Sequence, residues 1–447
     1  MTGNKANIIQ YPVTKCQIKL DLAWLFILVL LNIILVPSFS KQICLVMKPK
    51  QIFGLNPNVF FLGLVSFLSD VSSEMIFPIF SLFLFNVLHT PTTIIGLIEG
   101  AAESIASLVR IFSGWLSDKL GKRKSLTILG YGLSTLAKPF MYVATTWSMA
   151  FGVRFADRVG KGIRTAPRDA LVADSLTPEQ RGKGFGLHRA MDTFGAVVGI
   201  VSAVIVVLLC QGKNWALTRG TYQQLVLIGV IPAVLALFVF YFVREPKKKT
   251  SMEISPKSKF SGLLSGFDKR FKIFLGIIFL FTLGNSSDAF LVLRAQNLGN
   301  PVLYILLMLA LFNLIYAAIS TPAGMLSDKL GRKRVILFGW LIYTLVYLGF
   351  ALASPEASWQ LWLLFGLYGV YYGLAEGVAR AFVADLVPAE KRGTAYGLFH
   401  GVVGITLLPA SLIAGWLWQA VNPASPFLFG SALAFLAMIG LLVLIKE

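Results

Sequence analysis

The sequence predicts an all-α membrane protein. Twelve transmembrane helices form two six-helix parallel repeats, with one extra hydrophobic segment at the N-terminus. Three observations predict this. The first is composition: of 447 residues, 56% are hydrophobic and 14% are charged, with a mean hydropathy of +0.74. A soluble fold lacks the polar surface to cover that much apolar material, and a disordered chain would not carry it. The second is segmentation into apolar stretches of about 20 residues, the length that crosses a bilayer. The third is an internal duplication with a period of 210 residues.

From Val59 onward the stretches follow in order. The first runs over 58–87. The second, 92–116, ends at a basic run, and the third, 125–145, starts behind it. The fourth is 147–172, opening on Trp147. The fifth and sixth are 183–210 and 222–243, closed by Arg244. The seventh to twelfth are 272–295, 301–324, 334–353, 358–383, 394–419 and 425–445. Helices are the default for all of them, because lipid leaves no backbone polar group a partner outside its own segment. Barrel strands would be shorter and would alternate.

The net charge is +19. Such a balance can signal nucleic acid, but here position decides against it. Lys119, Lys122, Arg123 and Lys124 sit in the second connection. Arg244, Lys247, Lys248, Lys249, Lys257 and Lys259 sit in the central one, and Lys329, Arg332, Lys333 and Arg334 in the eighth. Connections 88–91, 144–147, 296–300, 354–358 and 420–424 have no Lys or Arg, and 211–221 has only Lys213 and Arg219. The positive-inside bias puts both ends of the twelve-helix body in the cytoplasm. Cys16, Cys44 and Cys210 have neither disulfide nor metal spacing. His89, His188 and His400 form no local cluster.

The first 46 residues stand outside this count. Leu22–Val36 is apolar apart from Asn32, preceded by Lys15 and Lys19 and followed by Pro37. Three readings stay open: a start at Met47 with nothing upstream made, a thirteenth helix, or a signal-like segment. The charge bias favours the first. The expected division is therefore an extension 1–46, a bundle 47–243, a cytoplasmic basic linker 244–271 and a bundle 272–447.

The duplication is the most informative feature. Gly114-Trp-Leu-Ser-Asp-Lys-Leu-Gly-Lys-Arg-Lys124 returns as Gly324-Met-Leu-Ser-Asp-Lys-Leu-Gly-Arg-Lys-Arg334. Ala173-Asp174 with Arg181-Gly182 and Gly186 returns as Ala384-Asp385 with Arg392-Gly393 and Gly397. Parallel repeats of this kind are a transporter architecture, with the site at the midplane between halves. Gly114 and Gly324 would allow close helix approach. Gly121 and Gly331 would permit a tight turn. Asp118 and Asp328 can face a helix N-terminus, and Lys122, Arg123, Arg332 and Lys333 hold the loop at the inner surface.

Over residues 52–447 the chain resembles the major facilitator superfamily of secondary transporters. The loop signature of that family is Gly, three residues, Asp, a basic residue, one residue, Gly and further basic residues. Both copies are complete here, at Gly114, Asp118, Lys119, Gly121, Lys122, Arg123 and at Gly324, Asp328, Lys329, Gly331, Arg332, Lys333. The resemblance implies that this loop is a conformational latch rather than a substrate site. Two other signatures fit loosely. Arg154 with Gly160 and Gly162 approximates the fourth-span pattern. Gly186, Gly195 and Gly199 keep part of the antiporter pattern without its Pro and last Gly.

Ionisable residues inside a membrane are costly and mark function by default. On the fourth span Arg154, Asp157, Arg158, Lys161, Arg164 and Arg168 fall within about 120° of arc at 100° per residue. On the second, Glu99, Glu103 and Arg110 share one face. Asp70 and Glu74 are one turn apart on the first, as are His188 and Asp192 on the fifth, near Arg189. Lys138 stands beside Pro139. The second half is sparser, with Asp288, Arg294, Glu376, Arg380 and His400. In a functional reading these residues line a cavity, the arginines take an anionic group, and Asp70, Glu74, Glu99 or Glu103 carries a proton. In a structural reading the acids simply neutralise the fourth-span arginines. Arg164 and Arg168, near the inner end, are expected to snorkel. Pro78, Pro139, Pro167, Pro232, Pro322 and Pro409 read as bends or as ordinary membrane-helix composition. Trp147 and Trp359 read as interfacial anchors.

The expected function is secondary transport by alternating access, as proton-coupled export of a small organic compound. The alternative within transport is uptake or exchange of an organic anion. A non-transporting sensor or scaffold is the alternative of another class, and its output would survive replacement of Asp118 or Asp328. No phosphate-binding loop, nucleophile–base pair or metal-ligand set is present, so neither an enzyme nor a cofactor is expected. The expected partners are a small-molecule substrate, the bilayer, and protons or another coupling ion. The expected setting is a monomer in a prokaryotic inner membrane.

Overall fold

The computed structural model describes residues 52, 54–120, 122–176, 181–212, 214–245, 267–357, 359–387 and 392–445. The extension 1–46, linker residues 246–266 and Gly121 lie outside the described residues, as do the side chains of Asp118 and Asp328. Residues 51–447 form one compact unit.

The described residues are helical. The first span is Pro57–Ile76, which breaks at Phe77 and Pro78 and continues through Phe80–Leu82 and a π turn, Phe83–Val87. Next come Thr92–Leu120, Arg123–Ala137 with a 3-10 turn Lys138–Met141, Trp147–Asp174, Arg181–Cys210 and Arg219–Val239. The seventh span is in two pieces, Lys269–Gly284 and Ala289–Asn297. Val302–Leu330, Arg332–Leu352, Trp359–Asp385, Arg392–Ala420 and Ser425–Leu444 complete twelve. Among the described residues, nine helices are long and apolar enough by themselves to cross a membrane. The second, third and fourth spans are not among the nine; two of them carry the charged stripes.

Local chemistry starts these helices where it should. Asn56 accepts from the Asn58 amide at 3.0 Å, with Pro57 in the first turn. Thr146 caps the fourth span through the Met149 amide, and Thr218 the sixth through Thr221. Buried Asn58 ties ends together: it donates to Ser175 Oγ and to the Arg244 carbonyl, and accepts from the Arg244 amide at 2.9 Å. Large side chains such as Leu209, Leu352 and Phe194 face outward at 81%, 72% and 62% exposure, as a lipid-facing surface requires.

Packing repeats with the sequence. The first span packs on the fifth and sixth, and the fourth on the second and third. Correspondingly, the seventh packs on the eleventh and twelfth, and the tenth on the eighth and ninth. The halves meet where the second span crosses the eleventh and the fifth crosses the eighth, a pair of contacts related by the same repeat.

The second–eleventh crossing is closest at the end opposite the basic loops. A Cβ on Gly96 would stand 2.1 Å from the Ser411 carbonyl oxygen, and one on Gly415 2.5 Å from that of Thr92. Thr92 Oγ1 donates to the Gly415 carbonyl at 3.2 Å, and Thr93 to Gln419 at 3.0 Å. Ser104 donates to the Gly404 carbonyl. The helices then diverge: a Cβ on Gly401 would meet Ile111 only at 4.0 Å, and one on Gly397 would meet nothing within 4 Å. The space between the halves therefore widens toward the basic end.

Gly96→Ala should lower the thermal midpoint in detergent, at a cost of about 1–3 kcal/mol, because the obstructing atom is backbone and cannot rotate away. Gly152→Ala, where a Cβ meets nothing within 4 Å, is the control that should not lower it.

Candidate functional site

A cavity of about 370 Å³ lies between the halves. Its wall from the first half includes Glu74, Phe77, Pro78, Glu99, Glu103, Arg154 and Arg158; the second half contributes Asn285–Ala289, Asn313 and Tyr372. Both broken spans present their break to it. Pro78 and Asp288 are 210 residues apart, so the breaks are equivalent in the repeat. Neighbouring side chains take the backbone groups freed in the seventh span: Tyr343 donates to the Gly284 carbonyl at 3.1 Å, and the Ser287 amide donates to Ser411 Oγ at 3.2 Å.

The arginine stripe turns inward as its helical period requires. Arg154 pairs with Glu99 at 2.9 Å, with both side chains buried, and its guanidinium carbon lies 4.3 Å from the Phe77 ring centre. Arg158 pairs with Glu103 at 3.2 Å. Two second-span acids thus neutralise two fourth-span arginines, which is the structural reading for these four residues. Nε and Nη1 of Arg154 and Nε of Arg158 have no hydrogen-bond partner. Glu74 makes no ion pair among the described residues. Lys161, Arg158 and Arg154 reach it only through space.

Of the fifteen expected cavity residues, six line the cavity: Glu74, Glu99, Glu103, Arg154, Arg158 and Asp288. Nine do not: Asp70, Arg110, Asp157, Lys161, Arg164, His188, Asp192, Glu376 and Arg380. Several of these serve packing inside a half. His188 Nε2 meets Ser66 Oγ at 3.1 Å, and Ser66 also meets Tyr131. Asp192 pairs with Arg189 at 3.3 Å and lies against Asp70. Arg164 does not snorkel; it is buried, its guanidinium carbon 4.2 Å from the Tyr131 ring centre. Arg168 is also held inside, donating to Ser66 Oγ at 3.0 Å. Glu376 takes a hydrogen bond from Tyr316 at 2.5 Å and pairs with Arg380, while Arg189 of the other half donates to the same phenol at 3.4 Å.

Cavity residues missed in the sequence are mostly neutral: Phe77, Ser81, Asn285, Ser286, Ser287, Asn313 and Tyr372. The run Gly284-Asn-Ser-Ser-Asp288 was a usable signal, since four consecutive polar residues inside an apolar span mark unwound backbone.

The duplicated loops acquire partners. Arg123 pairs with Asp174 at 2.5 Å and donates to the Ala170 carbonyl, while Glu245 accepts from the Arg123 and Lys124 amides. In the second half Arg332 pairs with Asp385 at 2.5 Å, and Lys333 donates to the Ile445 carbonyl. The second element of the repeat, Asp174 and Asp385, is therefore the anionic partner of the first. The guanidinium sits one position later in the first copy than in the second. Gly331 has φ +92°, as a tight turn requires. A Cβ on Gly114 would meet that of Ala166 at 3.3 Å, but a Cβ on Gly324 would meet nothing within 4 Å. The expectation of close packing at Gly324 is thus corrected, because no neighbouring helix comes within reach there.

A family model, Major Facilitator Superfamily, matches residues 62–293 and 273–447. An uncharacterized MFS-type transporter of Methanocaldococcus jannaschii is 40% identical over 396 residues, covering 87% of this chain and 95% of that protein. The cis,cis-muconate transport protein of Acinetobacter baylyi is 25% identical over 360 residues, covering 75% and 81%. The multidrug resistance protein MdtH of Salmonella arizonae is 23% identical over 394 residues, covering 86% and 93%. Among solved structures, a mutant of the nucleoside transporter NupG superposes with a TM-score of 0.73 at 14% identity, covering 87% of this chain and 100% of that one.

Glu99→Gln should destabilise the protein by about 3–5 kcal/mol, because Arg154 is left buried and unpaired. The double change Arg154→Leu with Glu99→Leu should lie nearer the unaltered protein than either single change does, read as thermal midpoints in detergent.

Proposed function

The chain belongs to the major facilitator superfamily, and from that premise we propose that it is a proton-coupled exporter of a small organic solute, working by alternating access. The two halves, 47–243 and 272–447, would rock about the cavity. The observation that carries the reading is the unequal treatment of three acids in one cavity wall. Glu99 and Glu103 are each occupied by an arginine; Glu74 is not. An acid facing the cavity with no fixed counter-ion is the group free to exchange a proton. One turn along the first span, Asp70 touches Asp192. With Glu74 this pair of touching carboxyls would form a relay from the cavity toward the basic end.

The widening gap at that end fits an inward-open state, with the close second–eleventh crossing as the shut outer gate. The paired loop arginines Arg123 and Arg332 would act as latches that hold one packing. Likeness to a multidrug resistance protein supports export, and the archaeal and bacterial relatives support a prokaryotic inner membrane with both ends of the body cytoplasmic. The protein would act as a monomer. Uptake or exchange of an organic anion is the second reading. It is favoured by the two unpartnered nitrogens of Arg154 and by likeness to a muconate transport protein.

In proteoliposomes, Glu74→Gln should lose the component of flux driven by a proton gradient while keeping substrate counterflow without a gradient. Full proton-driven flux in that variant would remove Glu74 from the relay.

A further inference from the structure

The charges around the cavity do not balance evenly between the two halves. The first half contributes two cations, Arg154 and Arg158, against three acids, Glu74, Glu99 and Glu103. Each arginine is paired with one of the acids, and Glu74 is left over. The second half faces this wall with a single charged group, Asp288, at the break of the seventh span. Among the described residues no cation comes within ion-pair distance of Asp288. Its polar contacts are two phenols: Tyr368 donates to Oδ1 at 2.6 Å and Tyr372 to Oδ2 at 3.4 Å. The lining as a whole holds four acids, Asp288, Glu74, Glu99 and Glu103, against two cations, Arg154 and Arg158. A carboxylate so placed is held and aimed, yet electrically unmatched.

We propose that Asp288 is the recognition point for the ammonium group of the substrate, which is a small organic cation. This rests on the transporter reading above and adds the substrate class to it. The unmatched carboxylate, with the acids opposite, makes the second-half side of the cavity a minimum for positive charge. The phenols fix the carboxylate and leave it able to accept more hydrogen bonds. Tyr372 also lines the cavity, its ring centre 5.1 Å from that of Tyr368. An aromatic wall beside a carboxylate favours a weakly hydrated alkylammonium over a bare alkali ion, which demands a shell of oxygens. The volume of about 370 Å³ suits one aromatic or alicyclic ring with a short amine arm.

The test is ligand stabilisation of the purified full chain in detergent, at fixed pH and with no gradient, so it does not depend on proton coupling. The probes are phenethylamine, its trimethylammonium analogue, the isosteric neutral alcohol, phenylpropanoate and sodium chloride. Both ammonium ions should raise the thermal midpoint, and the alcohol and carboxylate should not. Asp288→Asn should weaken ammonium binding about thirtyfold or more, and Asp288→Glu, which restores the charge, should recover part of it. If Asp288→Asn fails to fold, the unaltered protein still decides through its preference among the probes. Stabilisation by phenylpropanoate in place of the amines, stabilisation by sodium alone, no response to either ammonium ion, or amine binding unchanged in Asp288→Asn would each overturn the proposal. Loss of proton-driven flux in vesicles would bear on the coupling reading and leave this one standing.

Discussion

A charge inside a bilayer must find its counter-charge within the protein, and the arrangement around the cavity follows from that constraint. The fourth span carries a cationic stripe that no lipid can solvate. Its helical period gathers the stripe on one face, and the second span answers with Glu99 and Glu103 one turn apart. The buried Arg154–Glu99 pair contributes little net stability, since desolvation offsets most of its attraction. What the two pairs fix is register: sliding either helix by one turn would leave one acid and one arginine without a partner. The cavity is the space left on the open side of that registered pair.

The repeat then determines how the two halves can move. The halves touch through two equivalent crossings, and the closer of them rests on glycine at Gly96, Gly100, Gly404 and Gly415. Backbone meeting backbone there is held by dispersion and a few side-chain bonds to carbonyls, such as Thr92 to Gly415. No ion pair bridges the two helices at this crossing among the described residues, so separating them strands no charge. The strong charge pairs lie within halves: Arg154 with Glu99, Arg123 with Asp174, Arg332 with Asp385. A molecule built this way can part at the crossing and keep each half intact.

Much of this was legible in the sequence, and the limits have physical causes. Span number and the repeat were readable because the hydrophobic period and the 210-residue offset are properties of the chain alone. The inward turn of the fourth-span stripe was readable because the helix period sets it. Which acid meets which arginine was not, since that depends on how two helices register. The nine expected residues outside the 370 Å³ pocket, Asp70 and His188 among them, share the sequence signal of its lining residues, because being buried in a half and facing its cavity both call for a polar face. The role of Asp174 and Asp385 was in view as half of the duplication, yet a salt bridge over 51 or 53 residues leaves no local pattern. Gly324 was misread because a glycine in a repeated motif need not have the same neighbour in both copies. The seventh-span break is signalled by Asn285 to Asp288, but a window of about twenty apolar residues averages four polar ones away.

The asymmetry between the halves bears most directly on coupling. One wall of the cavity carries two arginine–glutamate pairs beside Glu74; the other carries Asp288 alone. When the halves change their separation, the two pairs keep their partners, because both members of each lie in one half. The lone carboxylate cannot be treated the same way. Each time the cavity closes on one side and opens on the other, Asp288 must pass through an occluded state with no fixed cation beside it, at a desolvation cost of several kcal/mol if it stays bare. Either a proton or a cationic ligand removes that cost. If Asp288 takes the cationic substrate as proposed, the closed state would favour a cavity that carries one or the other, and two species that satisfy one carboxylate in turn would be exchanged rather than carried together. Such exchange would need no link between distant sites; it would follow from an unpaired charge on the half of the cavity that has nothing else to pair it with.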